Sequence, residues 1–326
     1  MNSTSLYKKY LIPSVIARLS NLELKARFVV EGFITGLHKS PYHGFSVEFA
    51  EHRQYMPGDD IRNVDWKVLG RTQKYFVKQY EEETNLKSYI LVDISKSMAF
   101  SSVSSLSKQN AKKSDKPTEG ISKLEYASYI AASLCYLMLL QNDAFSLVTY
   151  DTKIRNYIPP HSTNTNLRLI LKELSNIQAT DKTGTASSLN QIAEKIKRKG
   201  LVIVLSDFLD NPSEVIKALR HFIYNGNEVL MFQILDPAEI NLLKSKKNKK
   251  LITRNEPVIL IDMETRDEIF SVPSQIRHEY NKTVKDFIES YKTQCRSYNI
   301  DYLLIPTDTS LEGSLLQYLN KRSKLV

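Results

Sequence analysis

The stretch LVDISKSMAF, residues 91–100, sets Asp93, Ser95 and Ser97 at alternate positions directly after an apolar run. A loop that turns sharply after a strand can aim such side chains at one point. One carboxylate and two hydroxyls then make an oxygen-only cage of low charge. That donor set suits a hard divalent cation that keeps some of its waters, Mg²⁺ above all and Mn²⁺ next. Two further segments carry groups of the same kind. DKTGTASSLNQIAEKI places Thr183 and Thr185 ahead of an amphipathic helix, where a hydroxyl either caps the helix or reaches a ligand. LVIVLSDFLD delivers Asp207 at the end of another apolar run. Asp151 and Asp236 also follow apolar runs, and for these the ordinary reading is a turn or a helix cap.

These residues converge only if the right elements carry them. From residue 88 onward strands and helices alternate. SYILVD is followed by a helix beginning near Ser122, then AFSLVTYD, helices near 164–178 and 186–198, LVIVLSD, the helix SEVIKALRHFIYN and the strand EVLMFQILD. Four of these strands are continuous apolar runs, which predicts a mostly parallel, doubly wound α/β sheet covered by helices on both faces. Ligands of such sheets bind in the crevice beyond the carboxyl ends of the strands, where Asp93 and Asp207 fall. The short segments LITRN, PVILIDME and EIFSVP read as a β-ribbon inserted over 251–273. A helix near 275–298, the strand IDYLLIP and a basic-ended helix close the chain. The first 85 residues follow a different grammar of short apolar patches and turns, with SVIARLSNLELKARFVVEGF as a candidate amphipathic helix. We therefore expect residues 1–85 to form a region packed on a main domain of residues 86–326.

The chain has 326 residues, 42% of them apolar, enough for a substantial core. Its longest apolar stretch, YASYIAASLCYLMLL at 126–140, falls short of a membrane span, and the amino terminus makes a poor signal peptide. A cytoplasmic protein is the expectation, with Cys135 and Cys295 as reduced thiols. The net charge is +9, of which residues 101–121 supply +2 and KSKKNKK at 244–250 supplies +5. Both read as solvated loops rather than a nucleic-acid surface, because aromatic and basic residues do not interleave there. The P-loop pattern G-x-x-x-x-G-K-[ST] and the G-x-S-x-G elbow are both missing from the sequence, and a zinc site at His38, His43 and His52 lacks a cysteine nearby. A metal-dependent hydrolase would need a general base that the crevice does not evidently supply. The chain is thus expected to bind rather than catalyse.

Asp93, Ser95 and Ser97, a threonine before a helix, and an aspartate ending the next core strand resemble the metal-ion-dependent adhesion site of von Willebrand factor type A domains. On that resemblance Thr183 matches the threonine, in preference to Thr185, because Leu189 then falls six residues later, where the family's helix has its apolar residue. Asp207 matches the second aspartate, while Asp181 and Lys182 replace the usual glycines. The amino-terminal segment HKSPYHGFSVEFAEHRQYMPGDDIRNVDWKVLGRTQKYFVKQYEEET, residues 38–84, resembles the signature of the bacterial domain of unknown function 58 family. The two motifs together cover roughly residues 20–240, and residues 101–121 read as an insertion. The resemblance implies a binding module with Mg²⁺ or Mn²⁺ held by Asp93, Ser95, Ser97, Thr183 and Asp207. It also implies, as partner, a MoxR-type ATPase or its client, whose carboxylate completes the coordination. Within GDDIRNVDW, Asp60, Arg62 and Asp65 fit an ion-pair lattice that pins a turn. Alternatively Arg53, Arg62 or Arg71 presents a docking surface for the partner.

Overall fold

A computed structural model of the chain describes residues 52–54, 66–78, 87–102, 120–180, 184–196, 199–242, 258–263, 265–311 and 313–314. The chain divides into two compact units, Ser40–Asn85 and the rest. In the smaller unit β1 (His52–Gln54) pairs antiparallel with β2 (Phe76–Lys78), and α1 (Trp66–Thr72) lies between them in sequence. The candidate amino-terminal helix, most of the GDDIRNVDW turn, the Lys-rich 244–250 segment and nearly all of the 101–121 insertion lie outside the described residues.

The larger unit is built on six strands: β3 (Lys87–Asp93), β4 (Ala144–Tyr150), β5 (Ile154–His161), β6 (Leu201–Ser206), β7 (Glu228–Leu235) and β10 (Asp301–Pro306), in the order β10-β7-β6-β3-β4-β5. All neighbouring pairs are parallel except β4–β5. The apolar runs thus become parallel strands, as their continuity predicts, with β6 buried along its whole length. The antiparallel β5 departs from the sequence expectation. Its sequence IRNYIPPH alternates in burial, carries two prolines and pairs with β4 through register irregularities, so it lacks the apolar continuity that marks its neighbours.

Alternate residues of each strand face opposite layers. Ile90 and Val92 of β3 pack with α2 (Lys123–Leu140) and α3 (Asn164–Asn176), through Tyr126, Ile130, Leu167 and Ile170. Tyr89 and Leu91 face α4 (Thr185–Lys195), α5 (Pro212–Tyr224) and the long helix α7 (Pro273–Ser297). Between β7 and α7 come the single turn α6 (Pro237–Ile240) and a separate ribbon of β8 (Val258–Ile261) and β9 (Glu268–Ser271), within the stretch expected for the inserted ribbon. Helix α2 begins next to Ser122, as expected, and the Ser122 hydroxyl caps it by accepting from the Glu125 amide. Its apolar faces leave no polar stripe, and Ser128 and Ser133 instead donate to the carbonyls of Leu124 and Tyr129 one turn back.

Gly200, just ahead of β6, is where backbones approach closely. A Cβ there would sit 2.0 Å from the Lys87 carbonyl oxygen, so β6 cannot enter its register beside β3 with any side chain at this position. Gly200→Ala is expected to cost about 2 kcal/mol or more of unfolding free energy, measured by urea titration. A neutral outcome would mean that the start of β6 adjusts freely.

Candidate metal site at the sheet switch point

Chain order reverses between β3 and β6. From β3 the chain moves one way to β4 and β5, then returns to lay β6 on the other side of β3. Such a reversal opens a crevice beyond the carboxyl ends of the two strands. Asp93 is the last residue of β3, and Asp207 follows the last residue of β6, with Val92 level with Leu205. Both carboxylates are fully buried.

Asp93 is held from both sides. Oδ1 accepts the Ser95 amide at 2.8 Å, which shapes the turn out of β3, and Oδ2 accepts the Ser206 hydroxyl at 2.6 Å. The Ser206 hydroxyl in turn accepts the Phe208 amide at 2.9 Å. Ser95 and Ser97 bring their hydroxyl oxygens to 3.2 Å of each other as the chain enters a 3-10 turn over Lys96–Ala99. Burial, with the charge of Asp207 added, pushes the Asp93 carboxyl up from an ordinary 3.8 to about 7, against the lowering effect of the Ser206 and Ser95 hydrogen bonds. A positive charge beside it would reverse that balance.

Asp207 is set by three strands. Its carbonyl accepts from the side-chain amide of Gln233 on β7 at 3.0 Å, and Gln233 is fixed by the Tyr302 hydroxyl of β10 at 2.6 Å. Phe208, immediately after it, is buried in the left-handed region at φ 52, and the Tyr291 hydroxyl of α7 holds its carbonyl at 3.0 Å. The β6–α5 turn is thereby locked so that the Asp207 carboxylate faces α2. There Lys123 Nζ meets Oδ2 at 2.7 Å, while the Leu209 amide reaches Oδ1 at 3.2 Å.

Lys123, which the sequence pattern does not single out, is fully buried at the first turn of α2. Its ammonium also reaches Glu239 Oε1 at 2.6 Å and lies 5.9 Å from the Phe100 ring centroid. Burial alone would lower the Lys123 pKa, but the two carboxylates outweigh it and hold the group above its ordinary value. Burial raises Glu239 above the usual carboxylate range, with Lys123 opposing. Glu239 belongs to a capping box, its Oε2 accepting the Asp236 amide at 2.8 Å while Asp236 accepts Ala238. Asp236 Oδ2 also takes the Ser102 amide at 3.0 Å, tying α6 to the segment that follows the two serines. The signal for Glu239 is present in the sequence as D-P-A-E. It reads as a cap, and it is one as well.

Thr183 lies outside the described residues. Thr180, the last described residue before it, donates its amide to the Ile94 carbonyl at 2.9 Å and its hydroxyl to Asp151. Thr185 is the first residue of α4, and its buried hydroxyl has no hydrogen-bond partner among the described residues. Asp151 anchors the β4–β5 turn. Burial alone would raise its pKa, but hydrogen bonds from Arg155, Thr180 and the Lys153 amide outweigh it and hold the carboxyl at about 2. Of the candidate docking arginines, Arg53 lies in β1, Arg71 is exposed in the last turn of α1, and Arg62 is outside the described residues.

The residues present suit a hard cation. Asp93 and the two adjacent serine hydroxyls are oxygen donors of the kind such an ion takes, while Asp207 is shared with the Lys123 ammonium. Among the described residues no three of His, Cys, Asp and Glu come together as a metal cluster. The donors that do lie together, Asp93, Ser95 and Ser97, are richer in hydroxyl than in carboxylate.

A family model described as "Protein of unknown function DUF58" matches residues 51–286. The uncharacterized protein Rv1480 of Mycobacterium tuberculosis is 25% identical over 233 residues, covering 71% of this chain and 68% of the relative, and the uncharacterized protein Mb1516 of Mycobacterium bovis matches equally. Among solved structures, the conserved hypothetical protein BatB from Bacteroides thetaiotaomicron is 16% identical, covers 73% of this chain and 99% of its own, and gives a TM-score of 0.38. The SpRpn10 VWA domain is 11% identical over 71% of this chain and 94% of its own, with a TM-score of 0.35. Among the described residues no helix is long and apolar enough to cross a membrane.

Proposed function

We propose that this chain, which belongs to the DUF58 family of proteins of unknown function, works as a divalent-metal-dependent protein-binding adaptor. The observation that carries this reading is the gathering of Asp93, Ser95 and Ser97, with Asp207 beyond the neighbouring strand, at the reversal between β3 and β6. Asp93, Ser95, Ser97, Asp207 and Thr183 would hold the ion, Mg²⁺ or Mn²⁺. When bound, the cation supplies an electrophilic position that an external carboxylate can fill. The protein's own part is to hold the donors rigidly. Ser206 and the Ser95 amide fix Asp93, Gln233 and Tyr302 fix the backbone of Asp207, and the hydroxyls contribute oxygen without adding negative charge. An ion so held keeps appetite for a further anionic ligand.

The partner would be a protein offering an aspartate or glutamate. The resemblance of residues 38–84 to the family signature favours a MoxR-type AAA+ ATPase or its client, with this chain serving in protein assembly or maturation. Arg53, Arg62 and Arg71 are the candidate docking cations of the smaller unit. We read the chain as a binder and not an enzyme.

Isothermal titration of Mg²⁺ or Mn²⁺ into the wild type and into Asp93→Ala tests the site. Heat of binding is expected from the first and none from the second. Equal heats would remove Asp93 from the site. A pull-down with and without chelator then reads whether partner capture depends on the metal.

A further inference from the structure

We propose that Lys123 and Glu239 are working parts of the metal site, with the lysine acting as a resident cation that moderates the site's hold on a divalent ion. This rests on the metal-site reading above and adds two positioning residues to it.

The placement is specific. Lys123 is wholly buried, and its ammonium divides between Asp207 at 2.7 Å and Glu239 at 2.6 Å. A buried ion pair is seldom more stable than an apolar replacement of similar volume, so stability alone does not account for a lysine here. Its neighbours give the alternative account. The charge of Asp207 is felt at Asp93 across the crevice and at Glu239 beyond the lysine. The ammonium lies between the Asp207 and Glu239 carboxylates and offsets their charge, so an ion beside Asp207 would meet less negative charge than the two acids alone would present. Without the lysine the buried Asp207 carboxylate would act on the ion with nothing to offset it. The grip would be tighter, and the ion would have less electrophilicity left for an external carboxylate.

Lys123 also limits how Asp207 can be used. Oδ2 is committed to the ammonium and Oδ1 to the Leu209 amide. Asp207 therefore reaches a bound ion mainly through its field, whereas the partners of Asp93, the Ser95 amide and the Ser206 hydroxyl, carry no charge that would compete with the ion. Glu239 fixes the ammonium from the far side and is itself fixed by the Asp236 amide at 2.8 Å. Because Asp236 holds the Ser102 amide, the lysine's position is tied to the chain just beyond the serines.

The test is a set of Mn²⁺ titrations, followed by the electron paramagnetic resonance signal of free Mn²⁺, on the full-length wild type, Lys123→Met, Glu239→Gln and the double variant, with Asp93→Ala as control. Removing the positive charge is expected to tighten Mn²⁺ binding about tenfold, and removing the negative charge to weaken it about tenfold, given the strength of charge interactions at buried sites. The double variant should return close to the wild type. A purely structural role would weaken binding in all three variants. If Asp93→Ala abolishes binding while Glu239→Gln binds as tightly as the wild type, the lysine proposal is overturned and the metal site stands. The lysine proposal is likewise overturned if Lys123→Met folds and binds no tighter. If the wild type itself takes up no Mn²⁺, or Asp93→Ala binds equally, the metal-site reading fails and this inference falls with it. Should Lys123→Met not fold, Glu239→Gln and the charge-balanced double variant still decide the matter.

Discussion

In chelator at pH 8, Asp93→Asn should unfold at higher urea than the wild-type chain. Burial and the charge of Asp207 raise the Asp93 carboxyl from 3.8 to about 7. A raised acid stabilises the folded state below its unfolded pKa, where both states are protonated. As pH climbs from about 4 to about 7 the unfolded chain releases its proton while the folded chain keeps it, and the contribution is lost. A shift of this size corresponds to about 4 kcal/mol in the limit. Asparagine keeps the shape and the acceptor for the Ser95 amide or the Ser206 hydroxyl, though not both with full strength. A gain of about 2 kcal/mol at pH 8, shrinking towards zero near pH 4, is the expected result. Mn²⁺ should stabilise the wild type further and leave the variant unmoved, because binding to the folded state alone raises its stability. A variant less stable than the wild type at pH 8 would show that Asp93 is a structural anchor with no charge to relieve.

Lys123→Ala should produce the opposite effect. It leaves Asp207 fully buried and Glu239 largely so, without the ammonium that balances them. Breaking a buried pair by removing one partner typically costs about 3–5 kcal/mol, and that loss is expected in urea unfolding at pH 8 without metal. Saturating Mn²⁺ should recover part of it, since the ion supplies positive charge to the same carboxylates. A loss under about 1 kcal/mol would mean that water or a side-chain rearrangement satisfies Asp207 without help. Together the two variants separate a carboxylate that is costly without a cation from one that already has its own.

Much of the fold could be read in the residues because the parallel strands are buried on both faces. SYILVD, AFSLVTYD, LVIVLSD and EVLMFQILD are continuous apolar runs, and each became a parallel strand of the central sheet. Strand β5 was hidden for the converse reason, since an alternating, proline-bearing edge carries no such run. The site was legible where its residues are local. Asp93, Ser95 and Ser97 lie within five positions, and the backbone brings the serine hydroxyls together. Lys123 was not legible. A lysine at the start of a helix reads as solvated, and only the approach of α2 to the β6–α5 turn shows that it is buried on Asp207. Glu239 was masked by its own cap, because a D-x-x-E pattern is accounted for by local hydrogen bonds alone. Ser206 carried no signal of its own next to Asp207, although its hydroxyl is what joins β6 to Asp93.

The outer margin of the sheet at β5 has a consequence for how this molecule meets others. Pro159 and Pro160 fall beside a break in the pairing with β4 and offer no amide hydrogen at two successive positions. An extended segment of a second chain laid against that margin would find a donorless gap in the backbone ladder. Sheet-to-sheet polymerisation is thus discouraged on this flank, as unprotected strand borders otherwise invite it. A protein recognised along that stretch would lean more on side chains than on backbone pairing.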